Sequence, residues 1–260
     1  MSPIYTPGKV VLAQTYVGID DSDAAAYIAA VETADGQTLE TATRVAIHSF
    51  VKGCKADGIW PAIKACCILA GARTLTGALI PLAGTAPTNN NFVSSDYDRK
   101  TGLVGNGSTK YLAANRTSTD DPQNDSHASI YISTAGSGNR TSISAFSGTD
   151  LSEIGFYSGC IIASRNTDNR ASGVDGTTGF VSFSRSSSAS FTALNNSTAY
   201  THNVASNAAQ SSAWNVYRRP SGQPYYSNQR LAFYSIGTSL SQTLLRDRVN
   251  ALITAIGAAF

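Results

Sequence analysis

The chain has 260 residues, of which 42% are hydrophobic and 14% are charged, and its formal net charge at pH 7 is +2. This length fits roughly one or two globular domains, and the apolar content argues against a disordered chain. The small net charge, with no basic run longer than Arg218-Arg219, argues against nucleic-acid binding. The composition therefore predicts a globular protein whose surface is polar mainly through hydroxyl and amide groups.

Residues 1–19 contain two prolines and an alternating apolar stretch, which predicts an extended arm that ends in a strand. This strand could form an edge of the same domain, or the arm could dock on a neighbour through Ile4, Tyr5, Val10 and Leu12. The N-terminus lacks the basic start and apolar core of a secretion signal, and no apolar run approaches the roughly 20 residues that span a bilayer. We therefore expect synthesis in a cytoplasm and no membrane insertion.

Residues 20–85 have helical patterns and form a predicted helical module. Side chains in Asp20–Asp23 can cap a helix over about 24–34, which Gly36 can end in a left-handed conformation. A second helix is predicted from about 38 to 55, because five apolar residues fall on one stripe. These five are Leu39, Ala46, Ile47, Phe50 and Cys54.

A third helix is predicted to start at Trp60-Pro61, because proline is tolerated in the first turn of a helix. The residues that follow, up to Ala70, are apolar on most faces. We therefore expect this helix to be the buried one of the module.

Residues 86–238 contain short alternating segments separated by Gly, Asn, Ser and Pro, which predict an antiparallel β-sandwich. The main strand candidates are Ser129–Ser133, Ile143–Ala145, Ile154–Tyr157, Phe180–Ser184, Ser190–Ala193, Trp214–Tyr217 and Arg230–Ile236.

Residues 239–260 predict an amphipathic C-terminal helix that packs on the helical module or on a sheet. Ser239 and Ser241 can cap it. Its apolar face is predicted to contain Leu244, Leu245, Val249, Leu252, Ile253 and Ile256.

The four cysteines, Cys54, Cys66, Cys67 and Cys160, could form two bridges in principle. Two of them are adjacent and three lie in predicted helix, so we interpret them as buried, reduced thiols. The three histidines are scattered along the chain, which argues against a zinc site. We therefore expect no metal and no cofactor.

An enzyme on a β-sandwich of this kind would most plausibly cleave glycosidic bonds, which needs two carboxylates held about 5–10 Å apart. The chain has three glutamates, Glu32, Glu40 and Glu153, and two of them lie in the helical part. No serine lies in a Gly-x-Ser-x-Gly motif that would mark a nucleophile. The sequence thus predicts no catalytic residues, and we expect a protein that is not an enzyme.

One group of aromatic residues near the end of the predicted sandwich could contact a glycan, because sugars stack on aromatic rings. The group is Trp214, Tyr217, Tyr225 and Tyr226. An alternative interpretation is that Trp214 and Val216 face the core and that the tyrosines fill a loop.

Two stretches resemble a family of tailed-bacteriophage proteins that have a concanavalin A-like (laminin-G-like) β-sandwich. The first runs from Asn91 to Leu103 and continues over Gly105–Leu112. The second, Tyr226–Gly237 followed by Ser239-Leu240-Ser241, is similar to the closing strand and helix of that family. The resemblance implies a jelly-roll sandwich that follows the helical module.

The resemblance also implies a structural, non-enzymatic role on the surface of a phage virion, as a capsid decoration or as a tail or fibre component. Other virion proteins would be its partners, and symmetric sites on a particle would imply a homo-oligomer, with a trimer expected. The alternative function is a carbohydrate-binding adhesin that recognises a host-surface glycan. A glycan hydrolase is the least favoured function, because the sequence shows no carboxylate pair.

Overall fold

The computed structural model describes residues 18–148, 150–167, 171–220 and 225–260. Ile4, Tyr5, Val10 and Leu12, the residues expected to dock the N-terminal arm, lie outside these ranges. The docking expectation therefore stays a prediction.

The described chain contains four α-helices and fifteen strands. The helices are α1 (Ser22–Asp35), α2 (Thr41–Ala56), α3 (Leu75–Ala78) and α4 (Gln242–Gly257). The strands are β1 (Ile63–Ile68), β2 (Thr88–Asn90), β3 (Tyr97–Asp98), β4 (Gly102–Val104), β5 (Tyr111–Thr117), β6 (Ser126–Thr134), β7 (Arg140–Ser147), β8 (Asp150–Tyr157), β9 (Cys160–Thr167), β10 (Ala171–Val174), β11 (Gly179–Arg185), β12 (Phe191–Asn195), β13 (Thr198–His202), β14 (Ala213–Val216) and β15 (Arg230–Gly237).

These strands form two sheets whose pairings are all antiparallel within the described ranges. The first sheet is 8-stranded, with the order β13-β12-β11-β6-β15-β4-β3, and β1 also pairs with β15. The second sheet is 7-stranded, with the order β10-β9-β8-β7-β14-β5-β2. The predicted antiparallel sandwich is thus confirmed.

Two apolar cores lie on opposite faces of the first sheet. The core between the two sheets contains Ile130, Phe183 and Trp214, and the Trp214 ring stacks on Phe183 at 6.4 Å between centroids. The core between the first sheet and the helices contains Phe50 of α2 and Phe233 of β15, whose rings meet edge to face at 5.7 Å. Successive side chains of a strand point to opposite faces, so the same strands supply both cores.

The predicted third helix is wrong, because Ile63–Ile68 forms β1 and pairs with β15. A short apolar run fits a buried strand as well as a buried helix, and periodicity alone does not separate them. In β1 the two adjacent cysteines point to opposite faces of the first sheet: Cys66 faces the helical core and Cys67 faces the core between the sheets. The segment 20–85 is therefore not wholly helical, since it supplies one strand to the sandwich.

The two predicted N-terminal helices are confirmed as α1 and α2. Asp21 caps α1 through its side chain, which accepts hydrogen bonds from the backbone amides of Asp23 at 3.0 Å and Ala24 at 3.1 Å. Gly36 ends α1 with a φ of 66°, a left-handed conformation that glycine adopts without a steric penalty. All five residues of the predicted α2 stripe are buried. None of the helices in the described ranges combines the length and apolarity that crossing a membrane requires.

The C-terminal helix is confirmed as α4, which packs against α2 and the first sheet. Two details of the prediction are wrong. Ser239 does not cap the helix, because its amide and hydroxyl both donate to the Asp125 carboxylate, at 2.7 and 2.6 Å. Leu244 is 38% exposed, because it lies in the first turn on the side that faces away from the sheet.

Three of the cysteines, Cys54, Cys66 and Cys67, are buried free thiols, which confirms that interpretation for them. Burial raises the pKa of Cys54 and of Cys67 to about 12, so both stay protonated at neutral pH.

His127 lies buried between the first sheet and the start of α4. Its Nδ1–H donates to the Thr238 carbonyl at 2.6 Å, so Nε2 accepts from the Ser235 hydroxyl at 2.9 Å. Ser235 also contacts the Ser129 hydroxyl at 2.7 Å. Burial is the main cause that lowers the pKa of His127 to about 4, so the ring is neutral in the folded protein.

We expect His127 to make stability fall as the pH drops from about 6.5 to about 4. In this range the unfolded chain, with an ordinary histidine pKa of about 6.5, binds a proton that the folded chain does not take up. The free energy of unfolding should decrease by up to about 3 kcal/mol across this window. Urea unfolding at several pH values measures this loss.

The His127→Asn variant should lose most of that slope, whatever its absolute stability. Carboxylates whose pKa is lowered by an ion pair, such as Asp57 beside Arg248, also reduce stability below about pH 5, but they do so in both proteins, so the difference between the two slopes reports His127. An unchanged slope in the variant would contradict the assignment.

Candidate functional site

Between β14 of the second sheet and β15 of the first, residues 217–220 and 225–227 pair as the two arms of a hairpin. Residues 221–224 lie outside the described residues. The amide of Ser227 donates to the Tyr217 carbonyl at 2.8 Å, and the amide of Arg219 donates to the Tyr225 carbonyl at 3.2 Å. Arg218 and Tyr226 form an isolated antiparallel bridge between these two bonds. The hairpin therefore presents one arginine and one tyrosine to each of its sides.

Tyr217 anchors the base of the hairpin. Its φ of 72° is left-handed, a conformation that is uncommon and strained for a residue with a side chain. The turn breaks the alternation of β14, so the Tyr217 ring follows Val216 into the core. There it packs edge to face on Phe92 at 5.1 Å, and its hydroxyl donates to the Leu103 carbonyl.

Two of the four predicted glycan contacts are therefore wrong. Trp214 is 2% exposed and Tyr217 is 0% exposed, so neither ring offers a face to a ligand. The alternative interpretation, in which Trp214 and Val216 face the core, is confirmed. Tyr225 and Tyr226 are half-buried on the hairpin, and their role as glycan contacts stays a prediction.

One side of the hairpin, which we call the Arg219 side, is fastened to β8 by a buried ion pair. The guanidinium of Arg219 donates to both oxygens of Glu153, from Nε to Oε2 at 2.8 Å and from Nη2 to Oε1 at 2.6 Å. The Tyr157 hydroxyl donates to Glu153 Oε1 at 2.8 Å and accepts from Arg219 Nη2 at 2.9 Å. Because Glu153 is 0% exposed, its charge is balanced by Arg219 and not by water.

The Tyr157 and Glu153 side chains meet on the same face of β8 because glycine stands between them. A Cβ built on Gly155 would lie 2.4 Å from the Tyr157 ring and 2.8 Å from Glu153 Oε1. Only a residue without a side chain leaves room for the bond between the two flanking residues.

The ionisation states on the Arg219 side follow from burial and from Glu153. Burial, with the negative charge of Glu153 as the next cause, raises the pKa of the Tyr157 hydroxyl, which stays protonated. Burial opposes the charge of Arg219, but the hydrogen bonds to Glu153 raise its pKa overall. The Tyr225 ring covers this group, with its centroid 5.0 Å from that of Tyr157 and 5.1 Å from the Arg219 guanidinium.

The opposite side of the hairpin, the Arg218 side, faces β5. The Arg218 guanidinium lies 4.4 Å from the centroid of the Tyr111 ring and 5.7 Å from that of Tyr226. The two rings are 6.3 Å apart and meet edge to face. No carboxylate among the described residues pairs with Arg218, and the nearby Lys110 takes the carboxylate of Asp96.

The structure thus places four half-buried tyrosines and two arginines on the outer face of the second sheet. We refer to this group as the tyrosine–arginine surface: Tyr111, Tyr157, Tyr225, Tyr226, Arg218 and Arg219. No three His, Cys, Asp or Glu side chains among the described residues cluster in a way that could hold a metal ion. The surface can offer aromatic ring faces, tyrosine hydroxyls and the Arg218 cation, which no described carboxylate neutralises.

Sequence analysis identified two members of this surface, Tyr225 and Tyr226, and missed the other four. The adjacent pair Arg218-Arg219, so close to two tyrosines, was an available signal. Tyr111 and Tyr157 lie in strands far away in sequence, and only the order β8-β7-β14-β5 brings them to the hairpin.

No family model matches the chain, and no curated protein matches it. Among solved structures, the binding domain of botulinum neurotoxin serotype D is 11% identical over 73% of this chain and 51% of its own, with a TM-score of 0.51. A Trypanosoma rangeli sialidase in complex with sialic acid is 9% identical over 72% of this chain and 32% of its own, with a TM-score of 0.50. The chain thus spans about half and about a third of these two proteins, and the likeness shows a shared β-sandwich fold.

Replacing Arg219 with glutamine should strongly destabilise the protein, because it leaves the buried Glu153 carboxylate without its counter-charge. Breaking a buried ion pair on one side typically costs about 3–5 kcal/mol. Chemical denaturation of Arg219→Gln and of the neighbouring Arg218→Gln measures the effect.

The neighbouring variant is the matched control, since Arg218 has no carboxylate partner among the described residues and loses mainly its ring contacts. We expect Arg218→Gln to lower the free energy of unfolding by no more than about 1 kcal/mol. Equal effects of the two variants would contradict the role assigned to the ion pair.

Proposed function

We propose that this protein binds carbohydrate at the tyrosine–arginine surface. The observation that carries the proposal is the pair of tyrosine–arginine groups on the two sides of the hairpin. Sugar rings have apolar faces that pack on aromatic rings, while their hydroxyls need hydrogen-bond partners. Half-buried tyrosines supply both, because each has an apolar ring and a polar hydroxyl.

The hairpin is held in place before any ligand arrives, which favours binding. The burial of Tyr217 and the bidentate bond from Arg219 to Glu153 hold its first arm, and backbone bonds tie the second arm to the first. A surface that does not have to become ordered on binding loses less entropy, so weak stacking contacts contribute more to affinity. Shallow sites for sugars depend on this, because each contact is small.

The shared fold supports the proposal. One of the two similar structures is a toxin's binding domain, and the other is a sialidase in complex with sialic acid. At 9–11% identity no residue of theirs can be matched to this chain, so the support comes from the fold and the chemistry comes from the tyrosine–arginine surface.

A glycan array probed with the whole protein tests this function. Wild type should bind at least one class of glycan, and Tyr226→Ala should lose roughly 10-fold or more in affinity, because a ring that packs on a sugar is lost. Phe260→Ala is the matched control: Phe260 is 37% exposed but contacts Arg99, away from the tyrosine–arginine surface. A silent array, or equal losses in both variants, would count against the proposal.

The phage resemblance supports a second proposal, about location: the protein lies on the surface of a virion and docks there through residues 1–19. Gold-labelled antibody on purified phage particles should label the head if the protein decorates the capsid and the tail if it is a fibre component. Deleting residues 1–19 should abolish incorporation without unfolding the sandwich. Unlabelled particles, or full incorporation of the deletion variant, would contradict the proposal.

A further inference from the structure

The charges of the two sides of the hairpin differ, although their side chains match. Each side combines one arginine with two tyrosine rings. On the Arg219 side the positive charge is cancelled by Glu153. On the Arg218 side the charge has no carboxylate partner among the described residues, so the two sides differ by one positive charge.

Most of the N–H donors of Arg218 also have no partner among the described residues. An arginine has five N–H donors. In Arg218, Nε donates to the Arg219 carbonyl at 3.3 Å and Nη2 donates to the Pro220 carbonyl at 3.2 Å. These two bonds leave both N–H groups of Nη1 and one of Nη2 without a partner among the described residues.

The contact with Tyr111 is a cation–π interaction and is separate from the two hydrogen bonds. The guanidinium carbon lies over the ring, 4.4 Å from its centroid. The two carbonyl bonds and the ring hold the group in one orientation, which is what recognition of a planar anion requires.

We infer that the Arg218 side selects a sugar that carries a carboxylate. The inference rests on the proposed carbohydrate function and names its ligand class. Arg218 would bind the carboxylate through its free N–H donors, while the Tyr226 ring packs on the apolar face of the same sugar.

Calorimetric titration of the whole protein with sialyllactose and with lactose tests the inference, because the two probes differ by one acidic sugar. Wild type should bind sialyllactose about 10- to 100-fold more tightly than lactose, the range expected for a charged hydrogen-bonded pair. Arg218→Gln should lose this preference, and Arg218→Lys should keep only part of it, because lysine keeps the charge without the planar group.

Lys64→Gln removes the same charge from an exposed position on β1, beside Tyr27 of α1, and should keep the preference. Two results would overturn the inference but leave carbohydrate binding in place: equal affinity of wild type for both probes, and an unchanged preference for sialyllactose in Arg218→Gln. Equal or tighter binding of sulfated lactose would overturn the carboxylate assignment. A protein that binds none of the probes and no glycan on the array would overturn the proposed function itself.

Discussion

The first sheet is buried on both of its faces, and the rest of the molecule is arranged around this constraint. In β15, Leu231 and Ile236 face the second sheet while Phe233 faces the helices. Both faces of the first sheet are apolar, so both must be buried. The second sheet buries one face, and the layer formed by α1, α2 and α4 buries the other. The helices are therefore part of the domain's core and do not form a separate unit.

Polar groups between the helices and the first sheet are matched to each other. His127 is bonded to Ser235, and the amide of Gln242 at the start of α4 donates to the Ser182 hydroxyl at 2.7 Å. Buried polar groups cost free energy unless they are paired, so these bonds also fix where α4 begins on the sheet. The same layer holds the pH-sensitive histidine, because a position that excludes water also excludes the charged form of the ring.

The hairpin crosses the outer face of the second sheet, where Arg219 lies over Glu153 of β8. Glu153 sits at the centre of that face as a fully buried carboxylate, and Arg219 must lie above it. A buried ion pair of this kind adds little net stability, but it restricts where the neighbouring residues of the hairpin can lie. The positions of Tyr225, Tyr226 and Arg218 follow from that attachment.

The helices illustrate which parts of the fold were predictable from sequence. The Asp21 cap, the Gly36 terminus and the stripe of α2 depend on residues within a few turns of each other, so local spacing was sufficient. The apolar run that forms β1 had no such local signal. Cys66 and Cys67 face different cores, so the run is apolar on both sides, and such a run fits a buried helix as well as a buried strand. Only the pairing with β15 decided it.

The tyrosine–arginine surface likewise has features that were predictable from sequence and features that were not. The sequence by itself determined the antiparallel sandwich, the two N-terminal helices, the C-terminal helix and the presence of tyrosines near residue 225, because these follow from local pattern and composition. Tertiary structure decided which aromatic rings are exposed. The left-handed Tyr217 turned one ring into the core, and sheet order brought Tyr111 and Tyr157 to the hairpin from distant strands. It also decided which arginine is paired with a carboxylate, because Glu153 and Arg219 are far apart in sequence and meet only in the folded structure.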